Sequence, residues 1–177
     1  VGMFDKSLKK SPDWDLWQRI ARTGARFGAV RDMLAYYRMT PNSSSLGARQ
    51  LLRDGLTVLK RGHAHDPRVP NPHPDYVNGL QTDRVETQEF YLLSWCAGLT
   101  LGIGQDARPL IKILKEDRYE GLYPDAIARC IFEAATLPMC KPRNAWDTLW
   151  PDVYPLARKF LMALEKQSGT PDLAQRA

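Results

Sequence analysis

Residues 11–24 read SPDWDLWQRIARTG, and this stretch decides how the fold begins. Ser11 is a favoured N-cap residue, and Pro12 suits the first position of a helix. Gly24 is a typical helix stop. The pattern therefore predicts a helix over about 12–23.

One side of this predicted helix is apolar. Trp14, Trp17 and Ala21 share a face, and Leu16 and Ile20 lie beside it. A stripe of this width is typical of a helix that packs on a core. We therefore expect the tryptophan face to dock.

Two short apolar runs follow the helix. FGAV at 27–30 and MLAYY at 33–37 are rich in branched or aromatic residues around an Arg31-Asp32 corner. Such runs favour extended segments, so we predict short strands here.

The remainder of the chain has helical spacing, interrupted by one proline-rich segment. Leucines recur at helical intervals from 46 until Gly62, and four prolines then fall within 63–79, which excludes a helix and favours an extended connector. Further helical patterns lie at about 82–101, 107–115, 125–137 and 152–166. Residues 168–177 are expected to fray.

These patterns predict a mainly α fold with a few short strands. We divide the chain into residues 1–62, a proline-rich connector at 63–80 and a helical accessory region at 81–177. A length of 177 residues leaves no room for two large domains.

Composition limits the class of protein. Hydrophobic residues at 44% and charged residues at 25% are typical of a globular chain that folds. A net charge of +5 favours anionic partners such as nucleotide diphosphates. The basic residues are scattered, which argues against nucleic acid as a partner.

The cysteines and the hydropathy bear on location. Cys96, Cys130 and Cys140 are odd in number and lack CxxC spacing, which favours a reducing compartment. The most apolar stretch, 91–103, is shorter than the roughly 20 residues of a membrane-spanning helix. We expect a cytoplasmic protein, with peripheral membrane contact left open.

Three motifs suggest a function by their order and spacing. VGMFD at 1–5, DWDLWQRIA at 13–21 and LAYYR at 34–38 together resemble family 2 glycosyltransferases of the GT-A type. That family has a G-x-F-D turn, an acidic E-D-x-D-L-W-x-R helix start, a G-x-x-F strand and a Y-R motif before a serine-rich turn. The resemblance covers residues 1 to about 62 and implies the carboxyl-terminal, acceptor-side part of a GT-A α/β domain, without its donor-binding half.

The resemblance assigns a catalytic role to Asp13. Inverting transfer needs a carboxylate that takes the proton of the acceptor hydroxyl as that hydroxyl attacks the anomeric carbon. In the family this is the second acidic position of the helix start, which is Asp13 here, with Asp15 as the fallback. Read alone, Asp13 is also an ordinary first-turn residue.

The resemblance also implies the substrates and their contacts. The donor is a nucleotide sugar, the acceptor is a saccharide or a lipid-linked glycan, and the intact enzyme is expected to use Mg²⁺ or Mn²⁺ held by its donor half. This chain alone is expected to hold no metal and to be inactive. The implied substrate-binding residues are Trp14, Asp15, Trp17, Tyr37 and Arg38.

Two positions depart from the family pattern. Pro12 replaces the usual glutamate before the aspartate, and Thr40 stands where many members have a histidine. The first change removes a supporting carboxylate, and the second removes a metal or diphosphate contact.

Other interpretations compete. The region 81–166 is alternatively a helical interaction or membrane-peripheral module, and exposure of a face formed by Phe90, Leu93, Ala97 and Leu101 would favour it.

Two further groups of residues suggest binding sites, but less strongly. The histidines at 63, 65 and 73 with the aspartate at 66 could hold a transition metal, although a solvated linker is favoured. The glycines at 98, 102 and 104 could form a phosphate-binding loop, but helix packing explains them better.

Overall fold

The computed structural model describes residues 1–36, 40, 43, 46–82, 85–114 and 122–177. Within these ranges the regular structure is helical and no residue is in a β-strand. The α-helices of the described ranges are α1 (Pro12–Arg22), α2 (Ala48–Gly62), α3 (Val85–Leu101), α4 (Arg108–Ile111), α5 (Pro124–Thr136), α6 (Trp146–Ser168) and α7 (Leu173–Arg176). Short 3-10 turns occupy Pro74–Tyr76 and Arg143–Ala145.

Helix α3 is the centre of the fold. It is apolar around most of its circumference and packs against α2 on one side and α5 on another, as expected for a helix buried on several faces. The face of Phe90, Leu93, Ala97 and Leu101 is at most 2% exposed. That face is therefore not a free docking surface. Its exposure would have favoured an interaction module, and it is buried instead.

A glycine allows α3 and α5 to approach closely. A Cβ atom built at Gly98 would lie 2.5 Å from the carbonyl oxygen of Ile131 and 2.7 Å from Cβ of Ala134. No side chain fits this gap without a shift of backbone. The helix-packing interpretation of Gly98 is confirmed, and the phosphate-loop alternative is not.

The predicted boundary at 63–80 is not a break in packing. Leu52 and Leu56 of α2 belong to the same buried cluster as Phe90 and Leu93 of α3. Within the connector, Val69 is 2% exposed. Most residues of the connector are exposed, as a solvated linker would be, but Asp66 and Val69 are buried where the segment folds back onto α1 and α2.

The short strands predicted at 27–30 and 33–37 are not seen at any described residue. Residues 25–36 run without regular structure, and residue 37 lies outside the described ranges. The apolar side chains of this segment are 62% to 94% exposed at Phe27, Val30, Met33, Leu34 and Tyr36. Strand propensity reflects the fit to a half-buried pleated surface, and no described residue supplies that surface.

The carboxyl-terminal part departs from its predicted limits. Helix α6 begins at Trp146 and continues through Pro151 and Pro155, so the predicted start at 152 is six residues too late. Both prolines are exposed, which lets water reach the carbonyls that lose their intrahelical partners. The tail expected to fray instead docks through Leu173, which is fully buried.

Two further limits hold for the described residues. Helix α4 spans only four residues, shorter than the pattern at 107–115 predicted. No helix in the described ranges is both long enough and apolar enough to cross a membrane.

Candidate functional site

Helix α1 docks through charged side chains. Asp15, Arg19 and Arg22 are 1%, 2% and 6% exposed, and they recur at the spacing of one helical face. Trp17, on the predicted docking face, is 54% exposed. The expected burial of the tryptophan face is therefore wrong at Trp17, whereas Trp14 and Ala21 are half-buried. The fully buried side chains of α1 are charged ones, and their partners are charged side chains and carbonyl groups.

The carboxylate of Asp15 lies at the centre of an arginine cluster. Arg19 Nε donates to its Oδ2 at 3.0 Å, Arg61 Nη1 to its Oδ1 at 3.1 Å, and Arg68 Nη2 to the same Oδ1 at 2.9 Å. These bonds join α1, α2 and the connector at one point. Helix α1 is therefore fixed to the body by a buried ionic group.

Two more carboxylates complete this cluster. Arg68 also bonds Asp66, with Nη2 2.7 Å from Oδ2, and Arg61 Nη1 bonds Asp5 Oδ2 at 2.8 Å. No buried side-chain nitrogen or oxygen among the described residues lacks a hydrogen-bond partner. A buried ionic group is stable when its members are paired in this way.

The pKa values of the carboxyl groups reflect this pairing. Burial alone would raise the pKa of Asp15, but the hydrogen bonds from Arg68 and Arg19 outweigh it and bring the pKa below its ordinary value. The pKa of Asp66 is lowered in the same way, against burial, by Arg68. At Asp5, hydrogen bonds from Ser7 hold the pKa at about 2.

Arg22 closes the connector onto α2. Its guanidinium donates to the carbonyls of Gly62 at 3.1 Å, Ala64 at 2.7 Å and Tyr76 at 3.1 Å. A cation at the carboxyl end of a helix bonds the carbonyls that the helix leaves free. Arg22 therefore holds the returning loop.

Asp13 differs from Asp15 in its exposure and in its hydrogen-bond partners. It stands in the first turn of α1, its side chain is exposed, and its Oδ1 accepts a 2.9 Å bond from the backbone N–H of Trp14. No other described residue bonds this carboxylate. Ser11 occupies the N-cap position in a left-handed conformation with φ 57° and makes no side-chain cap bond, so its predicted capping bond is absent.

A cleft of about 650 Å³ opens beside α1. Trp14 and Gln18 form one wall, and His63 and His73 contribute polar groups from the connector. With the Gln18 amide oriented to suit both neighbours, Trp14 Nε1 donates to it at 3.2 Å. The indole is thus held in place at the cleft.

The polar groups of the cleft are partly engaged. His63 Nδ1 donates to the Leu80 carbonyl at 2.6 Å, and the His73 and Tyr76 rings lie 5.8 Å apart. Arg26 lines the same cleft, is exposed, and forms no ion pair with any described residue. Aromatic faces, imidazoles and a guanidinium suit a polar organic ligand.

The implied site residues fall into three groups. Trp14 lines the cleft, whereas Asp13, its neighbour in sequence, and Trp17, which is exposed, are not among the lining residues. Asp15 is buried under three arginines, out of reach of a substrate. Tyr37 and Arg38 lie outside the described residues.

The described residues do not fit the divalent cation that the resemblance implies. No three histidine, cysteine, aspartate or glutamate side chains in the described ranges converge on one point. Asp15 and Asp66 are occupied by arginines, so neither Asp13-Trp14-Asp15 nor the histidine-rich connector gathers a set of metal ligands. No chemical step of this chain is therefore assigned to a metal.

Comparison with known proteins adds no relative. The chain matches no protein-family model, no curated protein and no solved structure at a significant level.

The arginine cluster was missed by the sequence reasoning. Arg61 and Arg68 lie 46 and 53 residues from Asp15, a separation at which pairing leaves no local pattern. The one available signal was the spacing of four and then three residues between Asp15, Arg19 and Arg22, which places these charges on a single face of the helix.

Proposed function

We propose that this chain supplies the acceptor side of a nucleotide-sugar-dependent glycosyltransferase of the family 2, GT-A type, with Asp13 as the general base. The proposal starts from the motifs at 1–5, 13–21 and 34–38. Its geometric support comes from the contrasting environments of Asp13 and Asp15 on α1.

The observation that carries the proposal is the contrast between the two carboxylates of Asp13-Trp14-Asp15. Asp15 is 1% exposed and bonded by three arginines, which fixes the orientation of α1. Asp13, two residues earlier, is exposed and has no ionic partner among the described residues. One carboxylate therefore anchors the helix, and the other is available to a ligand.

The proposed step uses Asp13 as a proton acceptor. The acceptor hydroxyl oxygen forms a bond to the anomeric carbon, the bond from that carbon to the diphosphate breaks, and the hydroxyl proton passes to the Asp13 carboxylate. The nucleoside diphosphate leaves with the electron pair, so charge and atoms balance.

The exposed apolar side chains also support the proposal. Trp17, Phe27, Met33 and Leu34 are 54% to 78% exposed, and exposed apolar surface of this kind marks a region that contacts another structure. In the family that this chain resembles, the corresponding segment contains a G-x-x-F strand. We also propose, as part of the same function, that residues 1–62 belong to a GT-A α/β domain and that the protein contacts a membrane peripherally.

The test is made on the longest polypeptide that the reading frame encodes, beside this chain alone. We expect the longer polypeptide to contain a nucleotide-binding sheet with a D-x-D motif. We also expect it to release nucleoside diphosphate from one member of a panel of UDP-, GDP- and dTDP-sugars when acceptor is present. This chain alone is expected to release none. A reading frame without such a sheet, or turnover by this chain alone, would contradict the proposal.

A further inference from the structure

Four aromatic rings form a row between α5 and α6. Trp146, Trp150 and Tyr154 follow one another at four-residue intervals on α6, and Phe132 of α5 meets Trp146 edge-on. Successive ring centroids are 4.6 Å, 5.2 Å and 5.1 Å apart. We call these four residues the aromatic row.

The aromatic row is not part of the closed core. Tyr154 is 46% exposed, and the other three rings are half-buried. Phe132, Trp146 and Trp150 line an open groove of about 500 Å³, which lies within the range of small-ligand sites, about 300–1,000 Å³. Four large rings are thus placed where a ligand can reach them.

The same groove also carries polar groups beside the rings. Neither the Trp146 nor the Trp150 indole N–H donates to a described residue, and no unbonded side-chain nitrogen in the described ranges is buried. Both N–H groups therefore reach solvent. Arg129, which is exposed, and Glu133 also line the groove, so donors and a carboxylate stand beside the rings.

We propose that the aromatic row is a binding site for a neutral oligosaccharide. A pyranose ring has an apolar C–H face that stacks on an aromatic ring, and edge hydroxyls that both donate and accept hydrogen bonds. An aliphatic chain would use the rings and leave the Trp146 and Trp150 indole N–H groups without an acceptor. Arg129 and Glu133 carry opposite charges, which favours a ligand without net charge. The proposal does not depend on Asp13 or on glycosyl transfer.

The experiment uses the 177-residue chain. It is applied to an array of immobilised neutral oligosaccharides of glucose, mannose, galactose and N-acetylglucosamine. The best ligand is then titrated in solution and followed by tryptophan fluorescence. We expect saturable binding with a change in emission, since Trp146 and Trp150 lie at the site.

Variants at the exposed end of the row provide the control. Tyr154→Ala is expected to weaken binding about 2- to 10-fold through the loss of one stacking ring, and Tyr154→Phe to retain the affinity. Tyr123→Ala removes another exposed tyrosine, 67% exposed and outside the aromatic row to which Tyr154 belongs, and should bind as the unsubstituted chain does. Unchanged melting temperatures show that each variant is folded.

Three results would overturn the proposal. The first is no binding to any oligosaccharide of the array at millimolar concentration. The second is equal weakening by Tyr154→Ala and Tyr123→Ala. The third is binding of decyl glucoside without binding of the free gluco-oligosaccharides, which would identify an aliphatic-chain site instead.

Discussion

Replacing Asp15 by asparagine tests the anchoring role of the arginine cluster. The substitution keeps the size of the side chain and removes its charge. Arg19, whose side chain is 3% exposed, then loses its only carboxylate partner among the described residues. Arg61 and Arg68 keep Asp5 and Asp66, and their side chains are about one third exposed.

The magnitude follows from these differences in burial. Breaking a buried ion pair from one side costs about 3–5 kcal/mol. The lower end applies here, because two of the three arginines retain partners and contact with water. A loss of about 3 kcal/mol in a chain of this size lowers the melting temperature by roughly 6–12 °C.

The assay is thermal unfolding followed by circular dichroism at pH 7, with Asp13→Asn as the matched control. Asp13 is exposed and bonds only the next backbone N–H, so its variant should change stability by less than about 0.5 kcal/mol. Equal melting temperatures for Asp15→Asn and the unsubstituted chain would refute the anchoring role. A large loss in Asp13→Asn would show that the exposed carboxylate is structural.

Three further predictions concern acidity, packing and thiol reactivity. Because the folded-state pKa values of Asp15 and Asp66 are lowered, their stabilisation is complete above the unfolded value of about 3.9 and is lost as the pH falls through the folded values. Urea titrations should show the free energy of unfolding falling below about pH 4, less steeply in Asp15→Asn; equal slopes would count against this. Gly98→Ala should cost about 1–3 kcal/mol despite the better helix propensity of alanine, and a more stable variant in the same titrations would disprove the close helix contact. Cys140 is exposed, whereas burial raises the pKa of the Cys96 thiol to about 12, so a thiol reagent at pH 8 should label Cys140 at once and Cys96 only after unfolding, as peptide mapping would show.

Much of the helical framework could be predicted from local sequence. Caps, prolines and apolar spacing placed α1, α2, α3 and α5 to within a few residues of their observed limits. These signals act within one or two turns, so a single sequence contains them. The predicted start of α6 at 152 directly follows Pro151, whereas the helix begins at Trp146, since an exposed helix side tolerates both Pro151 and Pro155.

The packing of α1 could not be predicted in the same way. Its tryptophans indicated an apolar docking face, whereas the buried face is that of Asp15 and Arg19. That outcome depends on Arg61 of α2 and Arg68 of the connector, which reach Asp15 only once these segments pack against α1. The strands predicted at 27–30 and 33–37 are likewise not seen at any described residue. A strand requires a neighbouring strand, and no described residue supplies one.

The central claim is that Asp13 is the proton acceptor of a glycosyl transfer. Its most direct test is the turnover number of Asp13→Asn at saturating donor and acceptor, measured in the longest polypeptide of the reading frame. The account predicts a loss of about 10²- to 10⁴-fold with an unchanged melting temperature. Near-normal turnover by a stable Asp13→Asn enzyme would contradict the claim.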